Sequence, residues 1–142
     1  MDRTGKCLCG AVHFTIRDLK PEFGACHCKM CQRWTGSLGM NLTTPSDTVT
    51  FQGTDNVGRY QSSDWAERAW CKKCGSNIWY QVTADGPYHG NFHIPIGLLE
   101  DTSDLILSGE YFIDNKPECM SLEGNHDRLD TAATLALFGV EE

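Results

Sequence analysis

The chain has 142 residues, of which 40% are hydrophobic and 22% charged, and a formal net charge of −7. A chain of that size builds one core and one domain, expected here over residues 1–142. Its apolar runs fall well short of the ~20 residues that cross a bilayer, and its acidic balance is opposite to what nucleic-acid phosphates attract. Neither a membrane nor nucleic acid is expected as a partner. The amino terminus MDRTGKCLCG has no apolar stretch behind its charged start, so no signal peptide is expected and the cytoplasm is the expected location.

In chain order, the stretch AVHFTI at 11–16 alternates Val12, Phe14 and Ile16 with Ala11, His13 and Thr15, the period-two pattern of a half-buried strand. Gly10 allows a tight turn before it. Pro21 interrupts the run, and EFGACHC leads as a short strand into a cluster of cysteines; residues 30–35 then suit one helical turn stopped by Gly36. From Ser37 the pattern stays strand-like through SLGMNLT, DTVTFQG, VGRYQSS, ERAWC and SNIWYQV. TADGPYHG reads as a loop with an Asp-Gly-Pro turn signal. FHIPIGLL at 92–99 is a strand that Pro95 would place at a sheet edge or a bulge. EDTSDL opens a short helix if Asp101, Thr102 or Ser103 caps it, GEYFI is a late strand, and DTAATLALF at 130–138 forms a short helix behind Asp130 and Thr131. The sum is one mainly β domain with few short helices.

Eight cysteines in an intracellular chain call for an explanation other than disulfides. They fall as Cys7-x-Cys9, Cys26-x-Cys28-x-x-Cys31, Cys71-x-x-Cys74 and a solitary Cys119. Pairs one or two residues apart are awkward for disulfides but let one short loop aim two sulfurs at a single ion. The Cys7/Cys9 and Cys71/Cys74 pairs each end in glycine and each precede a strand, and together they make a complete tetrahedral set for a structural zinc. Cys26, Cys28 and Cys31 remain one ligand short. Three thiolates with an open position is the arrangement of a catalytic zinc; the alternative is closure by Cys119, His93 or an acidic residue, which would make a second structural ion. His27, on a strand between two cysteines that share a face, points the other way and is a poor fourth ligand. Lys29, Arg33, Arg68, Lys72 and Lys73 flank the cysteines against the acidic background, and Trp34 is the tryptophan best placed to line a substrate cleft. His13, His89 and His126 are scattered and read as surface or hydrogen-bonded histidines.

The segments GKCLCGAVHFTI, ACHCKMCQRWTGS and YQSSDWAERAWCKKCGSNIW, with FHIPIGLLED and YFIDNKPECMSLEGN after them, resemble the glutathione-dependent formaldehyde-activating enzyme family, also called the centromere-protein-V domain. The resemblance covers nearly the whole chain. It implies an Mss4-like fold of mainly antiparallel β-sheet held by zinc, with Cys7, Cys9, Cys71 and Cys74 as structural ligands and Cys26, Cys28 and Cys31 as ligands of a second, catalytic ion. Cys119 has no counterpart in the shared motif. It further implies two zinc ions per chain, glutathione as co-substrate, and a carbon–sulfur lyase activity that condenses formaldehyde with glutathione to S-(hydroxymethyl)glutathione. Lys29 and Arg33, with Trp34, are then candidates for holding that small-molecule thiol. The competing expectation is a non-catalytic, zinc-stabilised module whose β surface docks a partner protein.

Overall fold

The computed structural model describes residues 2–139; of the domain expected over 1–142, residues 1 and 140–142 lie outside that range. In chain order the elements are β1 (Arg3–Lys6), β2 (His13–Ile16), β3 (Glu22–Cys26), α1 (Lys29–Thr35), β4 (Gly39–Thr44), β5 (Val49–Gln52), β6 (Val57–Gln61), β7 (Ala66–Cys71), β8 (Asn77–Val82), β9 (Phe92–Pro95), β10 (Ile106–Tyr111), β11 (Asp127–Leu129) and α2 (Thr131–Leu137), with four single 3₁₀ turns between them. The molecule is mainly β, as the strand-like patterning led one to expect. Its contacts gather in two compact units, Met1–Pro21 with Leu42–Asp104, and Glu22–Asn41 with Leu105–Glu142.

In the first unit β1, β2 and β5 form an antiparallel sheet in the order β1-β2-β5. β6, β7, β8 and β9 form an antiparallel run in which β9 neighbours β4. The inward residues of both sets meet in an aromatic cluster. Phe51 lies 5.5 Å from Phe14, 4.7 Å from Trp79 and 5.2 Å from Phe92, and Trp79 meets Phe92 edge-on at 5.2 Å between ring centroids. Val12, Ile16, Leu42, Ile78 and Ile94 complete a core with no exposed surface. Gly5 sits opposite Phe14 in the β1–β2 ladder, where a Cβ would come within 2.4 Å of the Phe14 ring. β1 escaped the sequence reading for that reason: its inward residues are Arg3 and Gly5, not a pair of hydrophobes.

Pro95 does not mark a sheet edge, because β9 runs between β4 and β8. It is the last residue of its strand and opens the 3₁₀ turn Ile96–Leu98. Its missing N–H therefore falls where the ladder already ends. Residues 100–105 do not form the expected helix. Arg3 takes the carbonyls of Asp101 and Ser103 through its two terminal nitrogens at 2.8 and 2.7 Å. The Ser103 amide donates to Asp101 Oδ1 at 2.8 Å, and Asp104 turns left-handed at φ 66°. The chain there closes a turn of its own, with two carbonyls taken by Arg3 that a helix would have used as acceptors.

In the second unit the strand order is β11-β10-β3-β4. β3 pairs antiparallel with β4, but β10 pairs parallel with both β3 and β11. The fold is mainly antiparallel as expected, and these two parallel pairs are its exceptions. Parallel neighbours need a long crossover, and β10 follows β3 only after many intervening residues, so local alternation could not signal them. Helix α1 begins at Cys28, whose sulfur accepts from the Cys31 amide at 3.3 Å, and ends at Gly36 (φ 87°), whose amide donates to Gln32 O at 2.8 Å. Helix α2 begins at Asp130, whose Oδ1 accepts from the Ala133 amide at 2.8 Å.

Candidate metal centres

The two knuckles of the first unit are built alike. Cys7 and Cys71 each begin a turn closed by a glycine at φ 81°, with the Gly10 amide donating to Cys7 O at 3.1 Å and the Gly75 amide to Cys71 O at 2.8 Å. The Val12 amide points at Cys7 Sγ from 3.4 Å. Ser76 ties the knuckles together: its hydroxyl accepts from the Leu8 amide at 3.0 Å and lies 3.3 Å from Cys74 Sγ. As a result the sulfurs of Cys7, Cys9, Cys71 and Cys74 all lie within 4.8 Å of one another, with Cys7–Cys9 at 3.7 Å and Cys9–Cys71 at 3.8 Å. Sulfurs bound at ~2.3 Å to one tetrahedral ion sit ~3.8 Å apart, so this donor set suits zinc.

Crowded thiols cannot all ionise alone, and Cys74 and Cys9 diverge. Hydrogen bonds from the Ser76 hydroxyl and amide bring Cys74 down to about 5. At Cys9 the Ala11 amide favours the thiolate, yet desolvation and the neighbouring thiols of Cys7, Cys74 and Cys71 outweigh it and push Cys9 up to about 11. A divalent cation at the centre of the four would remove that conflict.

The second cluster lies wholly in the other unit. Cys26 ends β3, Cys28 caps α1 and Cys31 lies on its first turn, so a strand end and a helix start bring the three sulfurs within 4.8 Å of one another. Gly39 lies opposite Cys26 in the β3–β4 ladder; a Cβ there would press on Asn41 Nδ2 at 2.9 Å and make only ordinary contact, 3.6 Å, with Cys31 Sγ. Hydrogen bonding to the Cys28 and Cys31 thiols, then burial, pushes the Cys26 thiol far up. Among the described residues no fourth His, Cys, Asp or Glu joins this group, and neither His93 nor Cys119 belongs to it.

His93 belongs to the first unit, where its Nδ1 lies 3.2 Å from Thr43 Oγ1 and its ring meets Tyr80 edge-on at 5.1 Å. Burial, then the Arg68 charge, lowers it to about 4. Arg68 itself stacks over Tyr80 at 4.9 Å. Lys72 and Lys73 are exposed beside the first cluster.

A cleft of about 440 Å³ opens along α1, lined by Lys29, Gln32, Arg33 and Gly36, by Ser37, and on the other side by Pro117, Cys119 and Met120. Residues 29, 32, 33 and 36 are spaced to share one helix face. Trp34, half-buried, falls off that face and is not in the lining.

Sequence reasoning missed one group altogether. Glu110 on β10 is 1% exposed, with Oε1 2.7 Å from His27 Nε2 and Oε2 2.6 Å from His126 Nε2. Arg128 Nε lies 3.2 Å from the same Oε2. Burial alone would raise this carboxyl, but hydrogen bonds from His126 and His27 outweigh it and hold it below its ordinary value. An ionised carboxylate only accepts, so both imidazoles donate through Nε2–H. His126, taken from the sequence as an ordinary surface or hydrogen-bonded histidine, has a side chain only 1% exposed. No periodicity links residues 27, 110 and 126; only the parallel pairing of β3, β10 and β11 brings them together.

A mainly β chain with two compact groups of cysteine sulfurs, both compatible with zinc, defines a class of cysteine-clustered β proteins. The family model for the glutathione-dependent formaldehyde-activating enzyme matches residues 2–115. A Schizosaccharomyces pombe protein named as an uncharacterized lyase is 32% identical over 139 residues, 97% of this chain and 91% of its own length. A Halomonas elongata relative, provisionally named a glutathione-dependent formaldehyde-activating enzyme, is 32% identical over 83 residues, 53% of each chain. The crystal structure of a Rhodobacter sphaeroides protein shares the fold with a TM-score of 0.57 at 24% identity, over 68% of this chain and 87% of that one. The chain belongs to the glutathione-dependent formaldehyde-activating enzyme family.

Proposed function

We propose that the chain is a zinc-dependent carbon–sulfur lyase-type enzyme acting on glutathione or a related thiol adduct, in the manner of an S-(hydroxymethyl)glutathione synthase. The observation that carries this reading is the three-sulfur group of Cys26, Cys28 and Cys31, which no fourth protein ligand joins among the described residues. Cys26, Cys28 and Cys31 would hold a zinc ion there, and such an ion would supply a site for a substrate sulfur and favour its ionised, nucleophilic form. The protein's own residues do the rest. Cys28 holds the start of α1, so the helix that carries Cys31 also carries Lys29, Gln32 and Arg33 along the cleft. Lys29 and Arg33 supply positive charge for the carboxylates of a tripeptide, and Gln32 and Ser37 add hydrogen-bonding groups. Cys7, Cys9, Cys71 and Cys74 hold a structural ion.

The test is the coordination of the second centre. Zinc absorption spectroscopy should show a fourth sulfur at that centre only after glutathione is added, on protein that carries two zinc ions per chain. A centre already closed by protein, or one that never takes metal, would leave the chain as a zinc-stabilised binding module.

A further inference from the structure

His27 links Cys26 to Cys28, so its backbone sets how those two sulfurs face each other. That backbone is held on both sides. The His27 amide donates to Tyr111 O at 3.0 Å, and its carbonyl accepts from Gln32 Nε2 at 2.6 Å. The same Gln32 nitrogen also donates to Asn115 O at 2.9 Å. The ring is fixed as well, 1% exposed and 2.7 Å from Glu110 Oε1. Glu110 is braced in turn by His126 at 2.6 Å and Arg128 at 3.2 Å. A buried carboxylate with three donors around it is a poor way to fill a core, since apolar residues of the same volume do that at least as well. What the charged group adds is direction: it fixes the ring of one particular residue in one orientation.

We infer that Glu110 is a positioning residue for the second centre. Through His27 it orders the peptide joining Cys26 and Cys28, so that the three thiols stand together before a metal arrives, and His126 and Arg128 hold Glu110 in place. The inference rests on the reading of Cys26, Cys28 and Cys31 as metal ligands. Outer partners of this kind commonly account for about 10–100-fold in metal affinity.

The experiment titrates full-length, metal-free protein with cobalt(II) and follows the thiolate-to-cobalt absorption, with a competing chelator to separate the two centres. The four-cysteine centre of the other unit serves as the internal control. Wild type should bind two cobalt ions; if it binds one, the ligand reading itself fails. In Glu110→Gln the amide offers one acceptor where two imidazoles donate. The second centre should then bind about 10–100-fold more weakly with an altered spectrum, and the first should be unchanged. His126→Gln, which keeps an N–H aimed at Glu110, should stay near wild type, whereas His126→Leu, which keeps the bulk and loses the donor, should weaken the second centre alone. Unchanged affinity at the second centre in both Glu110→Gln and His126→Leu overturns the inference. So does an equal loss at both centres, or a His126→Leu protein that outperforms His126→Gln, because each of these marks a role in packing only.

Discussion

Arg33 and Lys29 occupy the same face of α1 and the same cleft, and the proposed role of Arg33 is to meet a carboxylate of the thiol substrate. A hydrogen bond to a charged group is worth about 1.5–3 kcal/mol, so Arg33→Ala should lower kcat/KM for glutathione roughly tenfold or more, chiefly through KM. Steady-state kinetics at saturating formaldehyde would show it; a normal KM would remove Arg33 from the site. His93 supplies a second residue-level prediction. Its folded value near 4 lies below its ordinary 6.5, so between those values the unfolded chain binds a proton that the folded chain refuses. Stability therefore falls as pH drops from about 6.5 towards 4. In urea unfolding, the stability difference between wild type and His93→Gln should be constant above that window and shift against the wild type across it. Glu110, also lowered, loses its contribution only below its ordinary 4.5. At this scale the cysteines were legible because chelation is written in short spacings. Glu110 and His126 were not, because what makes them unusual is burial against each other, and burial of a polar residue leaves no local pattern.

At the scale of elements, the two helices were readable from their ends. Gly36 and Asp130 do their work through hydrogen bonds to residues three or four positions away, and such local partners are visible in sequence. Asp130→Ala should cost about 1 kcal/mol, seen as a thermal midpoint a few degrees lower. The shortest strands were not readable: β11 is three residues long with a mostly exposed pattern, and β1 buries an arginine and a glycine. The turn after β5 carries the severest steric demand. Gly53 has φ 81°, and a Cβ there would come within 1.8 Å of Ala11 O, in the loop that carries the first knuckle. Both the backbone conformation and the space exclude a side chain. Gly53→Ala should therefore destabilise the first unit by about 2–4 kcal/mol, measurable as a reduced urea midpoint and as weakened metal retention by the four-cysteine centre.

At the scale of the whole molecule, each group of sulfurs belongs to one unit only, and the two groups should fail separately. On the proposed reading, Cys71→Ser removes a ligand of the structural ion of the first unit. Structural zinc contributes about 10–16 kcal/mol in small domains, so that variant should lose cooperative unfolding and become sensitive to protease. Cys31→Ser should keep the fold and bind one zinc in place of two, measured as metal content of the purified protein. The units themselves were not legible: composition and charge show no break along the chain, because each unit is assembled from two separated segments.

That interleaving has a consequence for how the protein is made. During synthesis Cys26, Cys28 and Cys31 follow Cys7 and Cys9 and emerge long before Cys71 and Cys74. Five thiols thus precede the pair that completes the first set, and any metal captured at that stage meets a mixed company of ligands. The first unit sorts this out once Asp104 has been made, since all its segments are then present. The second waits longer: Glu110 and His126, proposed above to order His27, are made only after Asp104. The thiols proposed to do the chemistry are therefore made before the first set is complete and organised after it, and on that reading they would take up metal later than the four-cysteine group.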